Sequence, residues 1–118
     1  MTYIDGYAFA VETKKKQIFI DYAKAMDALF LEYGAVRVME CWGDDVPDGE
    51  TTDFKKAVNA RADETVLFSW VEWPNKEARE AGIAKMMNDP RMDPKDNPMP
   101  FDGKRMIYGG FTPVVEHK

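Results

Sequence analysis

Thr65-Val66-Leu67-Phe68-Ser69-Trp70-Val71-Glu72-Trp73, followed at once by Pro74-Asn75, is the stretch on which the fold turns. The run is too short for a buried helix and dense in β-branched and aromatic residues, so it reads as a strand. Its apolar residues fall on both parities, Leu67, Val71 and Trp73 against Phe68 and Trp70. A strand that is apolar on both sides belongs to a sheet covered on both faces. Pro74 and Asn75 then open a helix, because proline is tolerated in a first turn and asparagine caps one. Asp89-Pro90 closes it, since the residue before proline avoids helical angles. Its inward face is expected to use Ala78, Gly82, Ile83, Met86 and Met87.

Upstream, Val36, Val38, Met39, Cys41 and Trp42 form a second two-sided strand over Ala35 to Trp42, ended by Gly43-Asp44-Asp45. Before it, Phe19, Tyr22, Ala23, Met26, Leu29, Phe30 and Tyr33 recur at helical spacing, predicting the longest helix near residues 14 to 33, with Gly34 as its left-handed cap. Tyr3 to Val11 is the first strand, and a brief helical turn is expected around Asp53 to Asn59. Downstream, Pro90, Pro94, Pro98 and Pro100 forbid regular structure, and Lys104 to Val115 supplies a last strand carrying Arg105. There the Gly109-Gly110 pair marks a bulge or a close backbone approach.

The order strand, helix, strand, strand, helix, strand is the split βαβ pattern of the α+β, ferredoxin-like βαββαβ fold: a four-stranded antiparallel sheet with both helices on one face. The other face is apolar too, and a homodimer packed sheet to sheet, a dimeric α/β barrel, would cover it. The 118 residues, 45% of them hydrophobic, fit a single domain over 1–118.

A net charge of -5 repels phosphate, which disfavours nucleic acid and anionic membrane as partners. No apolar run reaches the roughly 20 residues that span a bilayer, and no signal-peptide pattern opens the chain, so it reads as a soluble cytoplasmic protein. Cys41, the single cysteine, excludes an intrachain disulfide and suits a small buried hydrophobe. His117, the single histidine, stands in the tail and is a poor base, which also weakens any histidine-held haem or zinc. The acidic loop Asp44, Asp45, Asp48, Glu50 and Asp53 imitates a calcium loop, but the register places Val46 and Lys55 where carboxylates are required. No cofactor or metal is expected.

Asp5, Arg37, Glu40, Glu72 and Arg105 are charges set in apolar strands, and each has to be paired, protonated or wet. One reading makes Asp5 or Glu40 an acid or base in a polar pocket, with Arg105 holding an anionic or carbonyl group. The other pairs them across strands or at the dimer rim. Likewise Trp42, Trp70, Met87 and Tyr108 either line a slot for an aromatic or apolar molecule between sheet and helices, or simply pack core and interface.

Trp42, Asp45-Val46-Pro47-Asp48-Gly49, Met86-Met87, Asp89-Pro90-Arg91-Met92 and the string from Met99 to Phe111 closely resemble the YbaA-like bacterial family, a family of unknown function, along essentially the whole chain. The resemblance implies the dimeric α/β-barrel superfamily, in which other branches are cofactor-free monooxygenases, haem-degrading enzymes and small isomerases. Two expectations follow: a homodimer binding a small aromatic or apolar molecule, or a cofactor-independent monooxygenase- or isomerase-like enzyme using a carboxylate base.

Overall fold

The computed structural model describes residues 2–118; Met1 lies outside them. Strands β1 (Tyr3–Glu12), β2 (Arg37–Trp42), β3 (Glu64–Trp73) and β4 (Ile107–Phe111) alternate with α1 (Lys16–Glu32), a one-turn α2 (Phe54–Ala57) and α3 (Lys76–Met87). They form one antiparallel sheet in the order β2-β3-β1-β4, the ferredoxin-like arrangement that the element order implies.

Local chemistry explains the boundaries. Asn75 Oδ1 accepts the Ala78 N–H and so caps α3. Gly34, at φ +114°, ends α1 and lets the Ala35 N–H return to the Phe30 carbonyl. Thr13–Lys15 form a tight 3-10 turn instead of the first turn of α1, because no side chain caps that end and its cations oppose the helix dipole.

The last strand is shorter than the sequence suggests. Asp102 accepts the Lys104 N–H and nucleates a 3-10 turn at Gly103–Arg105, so the strand begins only at Ile107; Pro113 lies beyond its end. Arg105 is therefore not a strand residue. Pro90–Met92 is likewise a short turn, tied down where Arg91 meets Asp89 and Glu32, both at 2.6 Å. Gly109 and Gly110 keep the ladder with β1 continuous, so there is no bulge; a Cβ at Gly110 would strike the Tyr3 ring, at 2.9 Å from Cε2.

Both long helices pack on the sheet face bearing Phe9, Val11, Leu67, Val71 and Trp73. On the opposite face, Val58, just after α2, covers Ala8, Ala10 and Val66. The rest of that face stays open, with Phe68 46%, Ile107 48% and Phe111 61% exposed. Trp70 and the half-buried Cys41 share the parity of Phe68 and so belong to this open face. The inward set of α3 holds for Gly82 and Met86, which are buried, whereas Met87 is 71% exposed.

Candidate functional site

Directly opposed residues in a sheet point to the same face, with Cβ atoms about 5 Å apart. Tyr108 on β4 opposes Tyr7 on β1, Tyr7 opposes Ser69 on β3, and Ser69 opposes Glu40 on β2. One polar row thus crosses all four strands on the helix side, between the apolar rows of Phe9 with Leu67 and of Val71 with Val38.

Above this row, between sheet and helices, lies a cavity of about 310 Å³ walled by Tyr7, Phe9, Met26, Phe30, Met86 and Phe101. Its size suits a small organic ligand. Met87, Met92, Met99 and Met106 also line it, and flexible thioethers let such a wall adapt to its contents. A second cavity, of about 380 Å³, opens toward Lys16, Lys24 and Trp42. Asp27 and Glu40 line both cavities, so this pair stands where the two meet.

Asp27 projects from α1 on the stripe of Ala23 and Phe30, which turns a carboxyl toward the sheet. Burial, and then the hydrogen bond and charge of Asp27, push Glu40 up to about 9, while the Ser69 hydroxyl works against them. Burial also raises Asp27, opposed by its hydrogen bond with Glu40. Glu40 Oε1 is sealed from solvent and meets no N–H or O–H donor. A neighbouring carboxylate cannot donate either, so burial and mutual repulsion drive the pair toward keeping a proton. Burial, reinforced by the charge of Asp5, holds Tyr7 protonated, its pKa up to about 12.

The other charges read from the sequence are spent on structure. Asp5, 3% exposed, accepts from Trp73 Nε1 at 3.0 Å and from Arg79 Nε and Nη2 at 3.1 and 2.9 Å. It is fully paired, and its partner is Arg79, not Arg105. Arg105 donates to both oxygens of Glu64 at 2.7 Å and to the Asn59 carbonyl at 2.8 Å, which holds the Phe101 to Met106 segment against the start of β3. It does not reach into the cavity. Arg37 and Glu72 make a loose exposed pair at 3.8 Å, and Glu72 also accepts from Trp70 Nε1.

Of the expected slot residues, Met87 lines the rim of the cavity between sheet and helices and Trp42 the adjoining one, under Lys16 at 5.2 Å. Tyr108 stacks on Tyr7 at the exposed sheet edge. Trp70 is excluded by its parity, which sends it to the open face. In the acidic loop, Asp53 caps α2 through the Lys56 N–H and Asp48 pairs with Lys55. His117 is exposed in the tail.

Asp27 and Ser69 were not singled out from the sequence, although each interrupts an apolar stripe: Asp27 lies between Ala23 and Phe30, Ser69 between Leu67 and Val71. Among the described residues no helix is long and apolar enough to cross a membrane.

Comparison with known proteins agrees with this architecture. The chain overlays on a dimeric ferredoxin-like protein from an uncultured marine organism with a TM-score of 0.63 at 10% identity, covering 98% of each chain. It also overlays on Rv0793 from Mycobacterium tuberculosis, with a TM-score of 0.54 at 11% identity over the whole of both. In sequence it is 52% identical to the uncharacterized protein YbaA of Escherichia coli (strain K12) over 116 residues, 98% of this chain and 99% of that protein. The same identity and coverage relate it to YbaA of Shigella flexneri. The profile described as Protein of unknown function (DUF1428) matches residues 2–103. With its ferredoxin-like fold, the chain belongs to this YbaA-like DUF1428 family.

Proposed function

We propose that this protein binds a small apolar or aromatic molecule between its sheet and its helices, as a homodimer whose open sheet faces pack together into an α/β barrel. The observation that carries the reading is the 310 Å³ cavity, whose walls are apolar apart from the Asp27 and Glu40 carboxyls and the Ser69 and tyrosine hydroxyls that a ligand's polar group would meet. The dimer is supported by the exposed Phe68, Ile107 and Phe111 on one face, and by the description of the marine relative as dimeric.

Native mass spectrometry of the gently purified protein tests both parts at once. The expected spectrum is that of a dimer carrying a small-molecule mass that is lost on denaturation. A monomer would sink the dimer. An empty cavity that also fails to take up naphthalene-sized probes by tryptophan or tyrosine fluorescence would sink the ligand.

A second reading is favoured by one specific feature, the proton held between Asp27 and Glu40. A cavity with both an acid and a base in its wall suits a cofactor-independent monooxygenase- or isomerase-like enzyme.

A further inference from the structure

We propose that Asp27 and Glu40 form a proton-transfer centre for an enolisable ketone with an apolar, ring-sized body, Asp27 acting on carbon and Glu40 on oxygen. The proposal rests on the ligand-binding reading above and names the substrate class of that same cavity.

Three observations converge on it. Asp27 and Glu40 each line both cavities, so a ligand seated at their junction meets the two carboxyls together. Glu40 is flanked across the ladder by Ser69, whose hydroxyl serves Glu40, and then by Tyr7, whose O–H is the donor a carbonyl oxygen finds beside the pair. The remaining wall is aromatic rings and methionines, which accept a flat apolar body and supply no competing charge. Arg79, Arg91 and Arg105 are each held by carboxylates outside the pair, and the nearby cations Lys16 and Lys24 line the adjoining cavity and not the one between sheet and helices.

The chemistry balances without a further reagent. The Asp27 carboxylate removes a proton from the carbon next to the carbonyl, and the C–H electron pair becomes the C=C bond of the enol. The carbonyl oxygen gains that negative charge and takes up the proton, or the hydrogen bond, of Glu40. Return of the proton from Asp27 to the same carbon restores the ketone; its return to a conjugated carbon moves the double bond. The substrate is neither oxidised nor reduced. Two carboxyls kept in opposite protonation states are what such a step requires.

The test uses the full-length protein and 2-tetralone, whose benzylic α-protons exchange with D2O in a reaction followed by proton NMR, and 2-naphthol, a stable mimic of the enol, followed by its fluorescence. The expected result is saturable binding of 2-naphthol and exchange of 2-tetralone accelerated about 100-fold over buffer. Asp27→Asn and Glu40→Gln, which keep side-chain volume, should each abolish the acceleration, while 2-naphthol still binds both variants, which also reports that they are folded. Binding without accelerated exchange, or exchange that survives in Asp27→Asn, overturns the proton-transfer centre and leaves the binding reading standing. Failure of both probes to bind overturns both.

Discussion

Arg105 and Glu64 are joined by two parallel hydrogen bonds of 2.7 Å, with side chains 14% and 5% exposed. The fork ties the turn after Phe101 to the start of β3, and Phe101 stacks on Phe9 at 4.4 Å in the cavity wall. A pair read from the sequence as a site residue and an unremarked glutamate is therefore the clasp of the cavity.

Replacing Arg105 by Met should cost about 3 kcal/mol in urea unfolding, because it strands a buried carboxylate. The pH dependence should change with it. The hydrogen bonds from Arg105 lead in lowering Glu64 from 4.5 to about 2. A depressed carboxylate adds stability above its unfolded pKa and loses it as pH falls through the folded one. The wild type should therefore lose stability between about pH 4.5 and 2 more steeply than the variant, and parallel curves would refute the clasp.

Glu40 has the opposite sign. Its folded pKa is raised from 4.5 to about 9, so the neutral carboxyl is at no disadvantage below pH 4.5, and the folded state is increasingly penalised as pH rises toward 9. The slope is at most about 1.4 kcal/mol per pH unit. Glu40→Gln removes this titration, so its melting temperature relative to wild type should climb steadily from pH 5 to pH 9. A difference that stays flat would show that Glu40 is charged in the folded protein.

Gly82 on α3 should not tolerate alanine. Elsewhere in a helix the change stabilises by about 1 kcal/mol. Here a Cβ would stand 2.5 Å from Trp73 Cζ3 and 2.7 Å from the Tyr33 carbonyl oxygen, and Trp73 is fully buried and bonded to Asp5. A net loss of about 2 kcal/mol is expected in chemical denaturation. A variant as stable as wild type would mean that α3 does not lie this close to the sheet.

Phe68→Glu tests the open face. The ring is 46% exposed and touches Phe54 and Trp70 from outside the main core, so one folded chain should tolerate the charge. In light scattering coupled to size exclusion, wild type should run as a dimer and the variant as a monomer with an unchanged far-UV spectrum. A variant that remains dimeric would move the interface elsewhere.

Much of the fold was legible in the chain. Periodicity marked α1 by the stripe from Phe19 to Tyr33, and β3 by an apolar run too short to be a helix. Asn75 and Gly34 marked helix ends because capping depends on neighbours three to five residues away. The last strand was overextended because its true start is set by the Asp102 cap and the Arg105 clasp, and the second of these needs Glu64, 41 residues away.

The candidate site was less legible. Glu40 stood out as a charge among apolar neighbours, but its partner Asp27 comes from a helix, and Ser69 from the adjacent strand. Asp5 and Glu40 are indistinguishable in sequence, both acids in apolar strands. Arg79 and the Trp73 indole reach the first and satisfy it, while nothing that can donate reaches Oε1 of the second. The sequence by itself determined which segments are strands and helices, how they are ordered, and that the sheet is apolar on both faces, because those properties follow from periods of two and 3.6 residues along one chain. Only the tertiary structure decided which buried charge is paired and which shares a proton beside a cavity, because desolvation and hydrogen bonding depend on groups that folding alone brings together.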